Sequence, residues 1–175
     1  EPARTALGMS RTFQITNVFA DLAVIDNMTL ALLGTDRRKW ILHRPVGAFQ
    51  ALRTRALEGL ARVGLESRAD APARLLSYGE RRQLELALAL NANPRVLLLD
   101  EPCAGLSPSE RQRISQTIAQ LPRAITLLMI EHDMDVALGL ADRVTVLHRG
   151  KVILEGPPDE AQANPEVREV YLGHV

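Results

Sequence analysis

Residues 95–101 read Arg95-Val96-Leu97-Leu98-Leu99-Asp100-Glu101, an apolar run that ends in two adjacent carboxylates. The pair suits nucleotide hydrolysis. An Asp at a strand end can hold Mg²⁺, directly or through water, while the next residue, pointing the other way, can orient or deprotonate an attacking water. Upstream lies Leu76-Ser77-Tyr78-Gly79-Glu80. Ser77 offers a hydroxyl donor, and Gly79 in the first turn of a helix would let a phosphate approach backbone N–H groups at the positive end of the dipole. Ser77-x-x-Glu80 is equally the pattern of a helix capping box. Its spacing to a strand ending Asp-Glu-Pro is what gives the glycine a phosphate meaning.

His132, within Glu131-His132-Asp133, follows the apolar run Ile125–Ile130. Alone it reads as a cap or surface histidine; at the end of a strand next to the Asp-Glu strand it could touch a γ-phosphate. Gln14 follows the same logic, as a neutral amide able to bind and sense a metal-bound water. Glu131 is the rival general base to Glu101, which ranks first because it directly follows the metal-site Asp. His43, His148 and His174 lack partners at ligand spacing, and Cys103 has no nearby His. Metal-cluster and thiol-nucleophile chemistry are therefore not expected. The run Arg37-Arg38-Lys39 with Arg44 reads first as a solvated loop and second as a contact for lipid headgroups or an acidic partner.

The elements that must position these residues follow from pattern. A Val/Leu run without alternation suits a strand buried on both faces of a parallel sheet, which delivers functional groups at its carboxyl end. A short strand is predicted near residues 8–16, ending about Gln14, then a helix over Val24–Leu33 and an amphipathic surface helix within 46–63. Gly64 stops that helix, and Arg68–Leu75 reads as a linker. Capping patterns start helices at Ser77 and at Ser107, the latter running to about Leu121 with Pro108 at its first position. Ile125–Ile130 is predicted as a second buried strand, Asp133–Ala141 as a helix, and Val144–Leu147 with Val152–Leu154 as a hairpin turning at Arg149-Gly150. The tail from Pro157 to Leu172 should form two short helices split at Asn164-Pro165. The fold class is α/β.

With 175 residues, one domain is expected. Lys plus Arg number 21 and Asp plus Glu 21, so no net field draws the chain to nucleic acid. The single cysteine excludes an internal disulfide framework and fits a reducing compartment. No apolar stretch approaches the roughly 20 residues of a membrane span, and the N-terminus has no signal-peptide pattern.

Taken together, these motifs resemble the nucleotide-binding subunit of an ATP-binding cassette (ABC) transporter. Leu76–Glu80 is similar to the family signature, usually Leu-Ser-Gly-Gly-Gln, with Tyr78 and Glu80 substituted. Val96–Asp100 resembles the Walker B strand, Glu101 the catalytic glutamate, Ala104-Gly105-Leu106-Ser107 the D-loop, His132 the switch histidine and Gln14 the Q-loop glutamine. Arg-Thr-Phe-Gln, Leu-Ser-Tyr-Gly-Glu and the ending Val-Tyr-Leu-Gly resemble the importer subclass serving branched-chain amino acids and related solutes. The Gly-x-x-x-x-Gly-Lys-[Ser/Thr] phosphate loop of the family is not found. The chain is therefore expected to be the C-terminal part of a cassette lacking its Walker A part, with an incomplete sheet and poor MgATP binding in isolation.

The resemblance implies a P-loop NTPase-type parallel sheet flanked by helices: residues 1–23 as core with the Q-loop, 24–76 as a helical subdomain insertion ending in the signature at 76–80, 77–156 as core, and 157–175 as a helical tail. It implies ATP and Mg²⁺ as cofactors, with Glu101 and His132 catalytic, Gln14, Ser77, Gly79, Glu80 and Asp100 binding nucleotide, and Gln14 and Asp100 organising the metal. It implies a head-to-tail dimer with a second ATPase subunit, transmembrane permease partners, indirectly a solute-binding protein, and a peripheral place on the cytoplasmic face of the membrane. Two rivals carry different predictions. A non-transport ABC ATPase on DNA or the ribosome would need coiled-coil or Cys-rich insertions, and a non-hydrolytic dimerisation or regulatory module would be a natural product near 19.3 kDa.

Overall fold

The computed structural model describes residues 7–12, 18–35 and 50–172. These fall into two compact units that divide after Leu128.

The first unit is organised by a short parallel pair. Strand β1 (Met9–Arg11) lies alongside β2 (Val96–Asp100) with Met9 opposite Val96, Ser10 opposite Leu97 and Arg11 opposite Leu98. Backbone bonds extend the pairing at both ends: Arg95 and Val96 donate to the Gly8 carbonyl, and Thr12 donates to that of Leu98 at 3.0 Å. On β2, Leu97 is fully buried and Leu99 nearly so, as expected of an apolar strand inside a sheet. Strand β3 (Thr126–Ile130) completes the order β1-β2-β3. Its expected two-sided burial is not observed: residues alternate, and Leu128 and Ile130 are 61% and 60% exposed. An unbroken apolar run does not reveal by itself whether both faces are covered. The expectation of a sheet deprived of its first strands is likewise corrected, because β1 stands in the N-terminal stretch and is hydrogen-bonded to β2.

Helices α1 (Val24–Thr35), α2 (Gln50–Arg62) and α3 (Tyr78–Asn91) enclose one apolar core. Ile25 and Met28 from α1, Leu52, Ala56 and Leu60 from α2, and Leu84 and Ala87 from α3 meet there. Two amides pin the helices where side chains alone would slide: Gln83 Nε2 donates to the Val63 carbonyl at 2.7 Å, and Asn91 Nδ2 to that of Met28 at 2.9 Å. Gly59 fits close against Met28, whose Cε would stand 2.7 Å from any added Cβ.

The stretch read as a linker is structured. It forms 3₁₀ turns at Glu66–Arg68 and Ala73–Leu75, and its backbone is stitched to the start of α1. Val24 and Ile25 donate to Ala71 and Ala69, while Ala73 donates to Leu22. Asn27 holds the facing loop, accepting from Phe19 N at 2.8 Å and donating to the Phe19 and Ala23 carbonyls. Polar sequence with a proline looked like a connector, but its backbone groups are satisfied by a segment some 45 residues away in the chain.

The second unit begins within β3. It contains α5 (Met134–Leu140), the hairpin of β4 (Val144–His148) and β5 (Lys151–Gly156), and the short helices α6 (Pro158–Ala163) and α7 (Pro165–Val167). Arg149 and Gly150 both have positive φ, 47° and 76°, the geometry of a two-residue hairpin turn matched to strand twist. Val146, Ala161 and Val167 form a small core, and the Tyr171 hydroxyl donates to the Leu147 carbonyl. Helix α4 (Pro108–Ala119) belongs to the first unit.

Leu84→Ala, which empties a fully buried position of the helical core, is expected to destabilise the chain by about 2–5 kcal/mol. Leu128→Ala at the exposed face of β3 should change stability by about 0.5 kcal/mol or less. Urea unfolding midpoints of the two variants would show the contrast.

Candidate functional site

Asp100 closes β2 with its side chain 23% exposed, and Arg11 on the neighbouring strand donates to its Oδ2 at 3.2 Å. The pairing follows from register, since Arg11 lies opposite Leu98. Glu101 is the first residue past the strand and has φ +45°. A left-handed conformation costs a non-glycine residue about 1–2 kcal/mol, and such strain collects where a side chain must be aimed. The turn that follows is closed by Ala104 N donating to the Glu101 carbonyl at 3.1 Å, and Gly105 at φ +72° leads to Ser107. Cys103 within it is 3% exposed, its Sγ 3.8 Å from Ser115 Oγ.

Ser77 caps α3 with a complete capping box: its hydroxyl accepts from Glu80 N at 3.2 Å and Glu80 Oε2 accepts from Ser77 N at 2.8 Å. Arg68, from the segment misread as a linker, donates to both Glu80 oxygens, at 2.8 and 3.3 Å. Those bonds, Arg68 first, hold the Glu80 carboxyl below its usual pKa against the opposing effect of burial. Glu80 is thus engaged by Arg68 and by the helix end it caps. A second box stands beside the first. Ser107 N and Oγ donate to Glu110 Oε2 at 3.0 and 2.6 Å at the start of α4. Glu110 lies over Gly79: an added Cβ there would overlap its carboxyl group and stand 2.9 Å from its Cγ. The glycine expected to admit a phosphate is thus, in this structure, what admits the Glu110 side chain.

The strand end and the two helix N-termini therefore converge in the first unit. Tyr78 ties them, its hydroxyl donating to the Ala104 carbonyl at 3.2 Å. His132 stands in the second unit, exposed and directly ahead of Asp133, which caps α5 by accepting from Val136 N at 3.2 Å. Gln14 lies outside the described residues. Arg11, Arg68 and Glu110 were not among the expected site residues; for Arg11 the only signal is its register on β1, which sequence spacing does not give. Among the described residues no cluster of three or more His, Cys, Asp or Glu could hold a metal by itself. The partly buried strand-end carboxylate of Asp100 fits Mg²⁺ nonetheless, because that ion is commonly held by one or two carboxylates with the remaining positions taken by phosphate oxygens and water.

The ABC transporter family matches residues 3–104, and a family described as branched-chain amino acid ATP-binding cassette transporter matches residues 151–175. The chain is 38% identical to the high-affinity branched-chain amino acid transport ATP-binding protein LivG of Salmonella typhimurium, over 97% of this chain and 69% of that protein. Its fold is similar to the ADP conformation of MJ1267, an ATP-binding cassette of an ABC transporter, with TM-score 0.77 and 27% identity over 99% of this chain and 71% of the other. It is also similar to the dimeric post-hydrolysis structure of the cassette MJ0796 bound to ADP and Pi, with TM-score 0.69 and 27% identity over 86% and 62%. The match from residue 3 overturns one expectation. The stretch ahead of Gln14 is core sequence of the matched fold, so the reading of the chain as a cassette deprived of its N-terminal part does not stand. The expectation of poor MgATP binding loses the support it drew from that reading.

Two stability effects follow. Glu80 has a folded pKa below its unfolded value near 4.5, so its contribution is complete above that value and is lost as pH falls through the lower folded value. The stability gap between the wild-type chain and Glu80→Gln should narrow as pH drops below about 4.5, as read by thermal melting across pH. Glu101→Gly relieves the left-handed strain, in part offset by greater unfolded-chain freedom, and is expected to hold or raise stability by up to about 1 kcal/mol.

Proposed function

The chain belongs to the ABC transporter family, as an ATP-binding and hydrolysing subunit of an importer, and from that premise we propose that it drives the uptake of branched-chain amino acids. The match of residues 151–175 to the branched-chain family and the likeness to LivG support the solute. The observation that carries the site is the convergence of Asp100-Glu101 with the Ser77 and Ser107 helix starts, joined through Tyr78 and Ala104.

In this reading two subunits associate head to tail, and Ser77 with the backbone around Gly79 faces the γ-phosphate bound mainly by the other subunit. A hydroxyl and N–H groups at a helix N-terminus are suited to that anion, and Glu110 must first move off Gly79 to admit it. Asp100 and Gln14 would hold Mg²⁺, which when bound neutralises phosphate charge. Arg11 must then release Asp100 or share it. Glu101, held in its left-handed turn, orients water and accepts its proton. The segment of residues 30–75 passes closure to permease subunits at the cytoplasmic face of the membrane. No helix among the described residues is long and apolar enough to cross a membrane itself.

The test is uptake of labelled leucine and phosphate release by the assembled transporter in proteoliposomes. Glu101→Gln is expected to retain ATP binding while lowering phosphate release and leucine uptake roughly 100-fold or more. Undiminished turnover in that variant would remove Glu101 from the reaction, and ATP-driven uptake of other solutes without leucine would overturn the solute assignment.

A further inference from the structure

Tyr78 stands at the third position of the signature-like segment, where the family usually has glycine, and the function proposed above gives it no part in the chemistry. A phenol in the first turn of α3 is 49% exposed, yet its polar end is fully engaged. Arg82, one turn along, donates from Nε at 3.3 Å and from Nη2 at 3.1 Å to the Tyr78 oxygen. A guanidinium has only donors and no lone pair to accept with, so the phenolic hydrogen is left to point elsewhere. It goes to the Ala104 carbonyl, 3.2 Å away in the turn beyond the Asp100-Glu101 strand end.

Both ends of this strut are fixed. Arg82 is only 8% exposed and is paired at 3.0 Å with Glu85, whose side chain is 9% exposed, and its guanidinium carbon lies 5.5 Å from the Tyr78 ring centroid. At the other end the ring lies against Gly105, where an added Cβ would stand 3.3 Å from Tyr78 Cε1. Gly105 at φ +72° also has a backbone that disfavours any side chain. The turn is shaped to receive the ring.

We propose that Tyr78 is a positioning residue that locks the signature-like helix start to the turn at Ala104-Gly105, so that the phosphate-facing Ser77 and the water-orienting Glu101 of one chain move together. This rests on the ATPase reading above. Ser77 is the preceding residue to Tyr78, and Glu101 is bonded through its carbonyl to Ala104 N, so a single phenolic oxygen lies between the two. A helix start facing one nucleotide is thereby linked to the carboxylate facing the other nucleotide of a head-to-tail pair.

The experiment uses the assembled transporter with Tyr78→Phe, which keeps the ring over Gly105 and removes only the hydroxyl, beside Glu101→Gln as control. The expected result is a fall in kcat for ATP of about 3–10-fold with KM for ATP within twofold, the size of effect a lost positioning contact gives. Hydrogen exchange of the amides of residues 101–107 should speed up in Tyr78→Phe, while those within 82–90 stay protected. Unchanged kcat and exchange in Tyr78→Phe, with Glu101→Gln inactive, would overturn the strut and leave the ATPase reading standing. A parallel loss of protection throughout α3, with KM and kcat both altered, would make Tyr78 a stability residue and equally overturn it. Full turnover by Glu101→Gln would instead remove the reading on which the proposal rests.

Discussion

Everything chemical in the first unit hangs from the burial of β2. Leu97 and Leu99 are shut away from water on alternate positions of a five-residue strand, and the parallel bonds to β1 fix its register. A slip by one residue would turn both leucines to the wrong face, so the point at which the chain leaves the sheet is settled by packing. Asp100 and Glu101 are placed by that exit. Arg11 is placed by it too, because the register that buries the leucines brings the guanidinium to Asp100. Hydrophobic burial thus sets the geometry of a polar site whose own ion pair, exposed on one side, contributes little to stability.

Around that exit the helix starts are held by matched hydrogen bonds more than by apolar contact. Ser77 with Glu80 and Ser107 with Glu110 satisfy orphan N–H groups and put negative charge against the positive ends of two helices. The two carboxylates are close enough that Glu80 opposes the ionisation of Glu110, yet the Ser107 hydrogen bonds prevail and keep the Glu110 pKa low. Arg68 performs the corresponding service for Glu80. Two like charges are tolerated side by side because each has its own donors, and the gap between them is only as wide as Gly79 allows.

Much of this was legible in the sequence, and the boundary between what was and what was not follows contact range. The Ser-x-x-Glu boxes, the Arg149-Gly150 turn and the tail split at Asn164-Pro165 are local chemistry, and each element starts or stops where its residues require. The residues misread were those whose partners are distant. Residues 68–75 look like a polar connector until the backbone of Ala20–Ile25 is set beside them. β3 looks doubly buried because leucine content says nothing about which face is covered. The Glu110 side chain that fills the space above Gly79 belongs to another helix, so the local spacing does not announce it. Arg11 meets Asp100 across 89 residues of chain. The left-handed backbone of Glu101 has no signature at all, since the pattern predicts a carboxylate there and not the conformation that presents it.

The single cysteine of the chain sits inside the turn that joins this strand end to the second capped helix, shielded from water beside Ser115. Its buried sulfur can meet a small thiol reagent only when that turn opens, and with no second thiol to share the signal, the rate of alkylation becomes an intrinsic clock for the breathing of the loop. The molecule carries, at the hinge of its polar site, a reporter group that no label need be engineered to supply.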